Sequence, residues 1–190
     1  MKRPWGGAVL VVVGVLFFVL LPGLLFFGPK LAFRIGGHPT DRQLIKRFRE
    51  HRAELDQLVE MFQTDAKLGR VGENFTRPPD PERIGISPER VQEYRRLCAT
   101  VGSVLCIEGY AEDADGNASV DGEKNPIWIH VSTEGLSIAG EGKGFLYSKA
   151  PKFDIVPDLD DDLPLPPGRK SQTWIRRIDG PWYLYLDVRN

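Results

Sequence analysis

From Pro4 to Pro29 the chain carries no charged residue, and every aspartate and glutamate lies at or beyond Asp41. Residues 5–27 are apolar throughout. As a helix these 23 residues span about 35 Å at 1.5 Å each, enough for a hydrocarbon core of roughly 30 Å. Pro22-Gly23 can kink or end the helix, leaving 17 residues ahead of it, near the lower limit for a span. Trp5 stands at the outer end, where an amphipathic ring prefers the interface. A cleaved secretion signal has a shorter apolar region closed by paired small residues. The endings Phe26-Phe27-Gly28 and Lys30-Leu31-Ala32 lack that pair, and the two cysteines, Cys98 and Cys106, lie too far along to accept a lipid here. The sequence therefore predicts an uncleaved transmembrane anchor over residues 1–28, a juxtamembrane linker over 29–39 and a single soluble α+β domain over 40–190.

Orientation follows from competing rules. Lys2 and Arg3 precede the apolar run, while Lys30, Arg34, Arg42, Lys46, Arg47 and Arg49 follow it. A literal count of positive charge puts the body in the cytoplasm, but long domains translocate largely regardless of charge. A short basic start before an apolar run is the standard beginning for export. The expected arrangement has the N-terminus inside and the body outside the cytoplasm.

Without Lys2 and Arg3, 23 of the 25 basic residues face 26 acidic ones. A weakly acidic body of this kind lacks the clustered basic surface of a nucleic-acid binder. Its aromatic and β-branched residues are enough to build a core, which excludes disorder for most of it.

Leu44, Phe48, His51, Leu55, Leu58 and Phe62 recur at spacings of 4, 3, 4, 3 and 4, predicting one helix with Thr40 or Asp41 at its cap. Ser87-Pro88 opens a second helix, whose apolar side is Val91, Tyr94, Leu97, Cys98 and Val101, and Gly102 closes it. The period then falls to two. Strands are expected at Val104–Ala111, Ile127–Ser132, Leu136–Ala139, Phe145–Ser148, Thr173–Ile178 and Trp182–Val188. Asp179-Gly180 signals a hairpin between the last two. In the final strand Trp182, Leu184, Leu186 and Val188 alternate with Tyr183 and Tyr185. The expected fold is two helices packed on an antiparallel sheet of about five or six strands. Pro151–Lys170, with Pro157, Pro164, Pro166, Pro167 and five aspartates, reads as an extended excursion.

The run Glu82-Arg83-Ile84-Gly85-Ile86-Ser87-Pro88-Glu89-Arg90 with Glu93-Tyr94-Arg95 carries a resemblance. So do Gly135–Ile138 with Lys143–Ser148, and the closing Ile178-Asp179-Gly180-Pro181-Trp182-Tyr183-Leu184-Tyr185. Over residues 45–188 the chain resembles a group of small, uncharacterised bacterial envelope proteins, some of them lipoproteins. The resemblance implies a bacterial source and an envelope location; with the anchor and orientation read above, the expected location is the bacterial inner membrane, single-pass, with a periplasmic or otherwise extracytoplasmic body. It transfers no catalytic residue.

Local chemistry is sparse. His38, His51 and His130 show no metal-ligand spacing, and no Gly-x-Ser-x-Gly elbow marks a nucleophile. His38 is placed in the linker, His51 in the apolar stripe and His130 pointing away from the core. Gly140–Gly144 reads as a glycine-rich hairpin rather than a phosphate loop, which needs a different spacing. Asp113–Asp121 places oxygens at alternate positions as calcium loops do, but Ala118 and Lys124 stand where glycine and glutamate are required. No metal or cofactor is expected. Asp158, Asp160, Asp161 and Asp162 form a charge run that is either a solvated loop or a docking strip for a basic partner. Cys98 and Cys106, with seven residues between them, are either a disulfide or two buried thiols. The leading functional expectation is a non-catalytic binding or interaction module held at the membrane through residues 5–27, with a protein as partner. The alternatives are an envelope hydrolase using His51 or His130 with a carboxylate, or a membrane-attached immunity or inhibitor protein.

Overall fold

The computed structural model describes residues 37–109, 111–112, 118–119, 124–136 and 139–190. The expected anchor, the expected linker up to residue 36 and most of the Asp113–Asp121 run lie outside the described residues. Among those described, no helix is long and apolar enough to cross a membrane.

The body is α+β. The helices α1 (Asp41–Glu50), α2 (Arg52–Thr64) and α3 (Pro88–Thr100) pack on a sheet of β1 (Arg70–Val71), β2 (Thr76–Arg77), β3 (Cys106–Gly109), β6 (Ile127–Leu136), β7 (Ala139–Tyr147), β8 (Asp154–Ile155), β9 (Ser171–Asp179) and β10 (Trp182–Arg189). The strand order is β2-β1-β3-β6-β7-β10-β9-β8, and β4 (Ala111–Glu112) pairs separately with β5 (Ala118–Ser119). Every neighbour pair in the large sheet is antiparallel except β8 with β9, so the sheet is mixed.

Three differences from expectation have physical causes. The helix expected across residues 44–62 is two helices joined at His51, whose φ of −123° leaves the helical region. The apolar spacing runs unbroken through the join, so periodicity could not reveal it. The sheet has eight strands because β1, β2 and β8 contain two residues each, too few to show alternation. Finally, Leu136 and Ala139, expected to share a short strand, pair with each other across the β6–β7 hairpin.

Caps behave as their chemistry requires. Thr40 Oγ1 accepts the Gln43 N–H at 3.3 Å while Gln43 Oε1 accepts the Thr40 N–H at 2.8 Å, a capping box that opens α1. Ser87 accepts from the Arg90 N–H at the head of α3. At its tail Gly102 takes φ +69°, and Ser103 N–H reaches back to Cys98 C=O at 2.8 Å, the Schellman closure.

The main core lies between helices and sheet. Leu44, Phe48, Leu55, Leu58 and Phe62 meet Ile107, Ile129, Phe145, Trp182 and Leu184. Trp182 is fully buried, T-shaped against Phe48 and Tyr147, and donates its indole N–H to Asp56 at 2.9 Å. Asp56 also pairs with Arg52 at 2.8 Å. A second, smaller cluster covers the opposite face: Leu146, Ile175, Tyr183 and Tyr185, flanked by Trp128 and Phe153. Tyr183 is only 7% exposed, so the face opposite the helices is covered as well. Between β8 and β9 the aspartate-rich excursion is a strap that lays Val156, Leu159, Leu163 and Leu165 on the main core.

Candidate functional site

Asp41, the first residue of α1, is 1% exposed and lies among three donors. Lys143 reaches it from β7 at 2.8 Å, Arg176 from β9 at 2.8 Å, and the Leu159 N–H from the strap at 2.9 Å. Lys143 alternates with Phe145 along β7 and so shares its helix-facing side. The strap completes the knot. Asp160 pairs with Lys143 at 2.5 Å and accepts the Asp41 backbone N–H at 2.8 Å, where a helix N-terminus favours an anion. Asp158 meets Arg176 at 3.3 Å. The three carboxylates approach within 4.8 Å of one another, close enough to share a cation, and the cations they share are Lys143 and Arg176. Burial pushes the Asp41 carboxyl up, but the bonds from Arg176, Lys143 and Leu159 outweigh it and hold the group below its ordinary 3.8.

The aspartate run is thereby divided. Asp158 and Asp160 are taken into the knot, whereas Asp161 and Asp162 are exposed and make no ion pair among the described residues. These two, with Asp160, line a cleft of about 520 Å³. His38 and Glu141 form another part of its wall, and Leu163, Leu165, Leu186 and Val188 give it apolar surface.

His38 does not hang free in a linker. Its Nδ1 lies 2.7 Å from Ser132 Oγ and its Nε2 3.4 Å from Glu141, with the side chain only 11% exposed. Ser132 reaches this side because a bulge between His130 and Ser132 shifts the β6 register, pairing Ser132 with Lys143. Serine, imidazole and carboxylate thus stand in the order a nucleophilic relay uses, although the buried His38 Nε2 makes no hydrogen bond to Glu141. Ser132 is not part of the cleft wall.

On the outer face, His130 Nδ1 lies 2.6 Å from Tyr185 Oη and its Nε2 3.5 Å from Glu108, which Arg70 meets at 3.3 Å. His130 and Tyr185 belong to strands separated by β7, and the residue between them is Gly144. A Cβ there would come within 2.2 Å of the Ile129 carbonyl oxygen and 3.1 Å of the Tyr185 ring, so glycine lets the tyrosine cross to the histidine. Gly140–Gly144, expected as a hairpin, is instead the body of β7. Burial pushes the Tyr185 phenol up. It pushes Glu108 the same way, but the bond from His130 and the charges of Arg70, His130 and Arg77 hold Glu108 below its usual range.

The remaining residues singled out by sequence have structural settings. Cys98 and Cys106 are bonded, with Cα atoms 5.2 Å apart, brought together by the reversal after α3. Cys106 itself has φ +60°. His51 sits at the α1–α2 join, 3.9 Å from Glu54. Lys124 is 1% exposed, donates to the Phe62 and Asp65 carbonyls at the end of α2, and is pushed by burial down to about 8. Sequence reading missed the knot of Asp41, Lys143 and Arg176. The available signal was a lysine two residues before Phe145 and an arginine two residues after Trp174, each spaced to share its neighbour's face.

No family model, curated protein or solved structure matches this chain.

Proposed function

We propose that this chain is a single-pass, membrane-anchored protein whose body is a non-catalytic binding module, taking a cationic segment of a protein partner in the strap cleft. The carrying observation is the composition of that cleft: Lys143 in its wall is taken up by Asp41 and Asp160, whereas exposed Asp161 and Asp162, which make no ion pair among the described residues, stand beside Leu163, Leu165, Leu186 and Val188. Lysine and arginine side chains suit such a site, because their stems lie on apolar surface while the head group stays at a polar rim. A basic toxin or enzyme held by an immunity protein is one form such a partner takes. The test is affinity capture from detergent-solubilised membranes with the full chain as bait, repeated with Asp161→Asn/Asp162→Asn. A specific basic partner that binds at least about tenfold more weakly to the variant, and whose capture fades with salt, supports the reading. Equal capture by both chains removes the cleft from it.

A hydrolase is the second reading, and the geometry moves its candidate histidine from His51 or His130 to His38. The observation favouring it is the 2.7 Å contact from His38 to Ser132, with Glu141 on the other ring nitrogen. A fluorophosphonate probe that labels the wild-type chain at Ser132, and fails on His38→Ala, supports this reading over binding alone. Absence of labelling in the wild type sinks it.

A further inference from the structure

The exposed side of α1 is basic. Arg42, Lys46 and Arg49 follow one another at spacings of four and three, one face of a helix, opposite the buried Leu44 and Phe48. Lys46 is offset by Glu50 at 3.7 Å. Arg42 and Arg49 make no ion pair among the described residues. All three line a second cleft, of about 680 Å³, whose acids are Glu50, paired with Lys46, and Asp41, Asp158 and Asp160, already bound to Lys143 and Arg176. The free charge on this side is therefore positive, although the body as a whole is acidic.

Position in the chain names the occupant. Eight residues separate Pro29, the end of the uncharged stretch, from His38, where the body begins. Fully extended they cover only about 28 Å. We infer that the Arg42–Lys46–Arg49 face of α1 rests on an anionic phospholipid surface, so that the body is seated on the membrane rather than tethered above it. The inference rests on the anchored reading proposed above. Juxtamembrane lysines and arginines are drawn to acidic headgroups, and the attraction falls off within a Debye length. Asp160 borders both clefts, with Asp161 and Asp162 on the strap side, so seating α1 leaves the acidic cleft to a partner.

Full-length protein in lipid nanodiscs tests this by hydrogen–deuterium exchange. One set of discs holds phosphatidylcholine alone, the other phosphatidylcholine mixed with phosphatidylglycerol. Peptides covering residues 41–50 should exchange at least about threefold more slowly in the anionic discs, and the difference should vanish near 0.5 M salt, where the Debye length is about 4 Å. Arg42→Gln/Arg49→Gln should abolish the protection while exchange in β7 and β10 stays unchanged, which shows that the variant is folded. Equal exchange of residues 41–50 in both lipids, with the protein incorporated, overturns the seated arrangement. Protein that fails to incorporate into either disc overturns the anchor reading instead.

Discussion

On the helix side of the sheet, Lys143 meets two carboxylates at 2.5 and 2.8 Å, and the partners come from α1 and the strap, distant in sequence. On the other side, His130, Tyr185 and Glu108 come from strands of the sheet itself and meet through a ring nitrogen, a phenol and a carboxylate. The first arrangement buries full charges, so removing one partner leaves another desolvated and unpaired. The second holds mostly hydrogen bonds, whose net worth is near 1 kcal/mol each. The helix side thus ties chain segments together at high cost if broken, while the outer side adjusts strands that the sheet already holds.

The largest expected effect sets the scale for the helix side. Trp182→Ala removes a fully buried ring and an indole donor, and should lower stability by about 3–5 kcal/mol in thermal or urea unfolding. A melt within a degree or two of wild type would mean that β10 does not carry the core. Lys143→Met comes next, at about 3 kcal/mol, and adding Asp41→Asn should recover part of the loss, because the buried carboxylate that has lost one of its two cations is then neutral. Additive losses would break the picture of a coupled knot. The same pair has an acid signature. The Asp41 carboxyl is held below its ordinary 3.8, so its stabilisation is present above that value and fades as pH falls through the lower folded value. Asp41→Asn should accordingly flatten the acid limb of the stability curve.

Lys124 sharpens the comparison from the alkaline side. Its ammonium is pushed from 10.5 down to about 8, so the folded chain binds fewer protons than the unfolded one between those values. Stability therefore rises with pH across that window, by about 3 kcal/mol for this group. Urea titrations of wild type and Lys124→Met should diverge there in favour of wild type; parallel curves would show that the amine is already well solvated. The smallest effect belongs to the outer face. Tyr185→Phe should cost about 1 kcal/mol, and a loss above 3 kcal/mol would place that side in the same class as the knot.

Much of the architecture was readable in the chain. The Ser87-Pro88 start, the Gly102 stop and the alternation of Trp182, Leu184 and Leu186 are local signals, and local geometry follows them. The hairpin before β10 was one residue out, because Trp182 pairs with Asp179 and the turn is Gly180-Pro181. The knot was not readable. Its members lie at positions 41, 143, 160 and 176, and only the pairing of β7, β10 and β9 sets Lys143 and Arg176 beneath α1. The strap hid for a related reason. Prolines and aspartates mark it as a loop, and its four apolar residues have no period because they pack on the core irregularly. The contacts of His38 are equally invisible in the sequence, because its partners, Ser132 and Glu141, are brought near only by the bulge in β6 and the hairpin after it.

The two outermost strands, β2 and β8, bear on how such a sheet ends. An open sheet ends in unpaired amides and carbonyls, which invite another copy to extend it. Here each border is only two residues long, and each soon meets proline: Pro78 directly after β2, and Pro157 two residues after β8. Arg77 at one border and Asp154 at the other are exposed charges. A neighbouring chain would find too short a template on either of these two strands to build on.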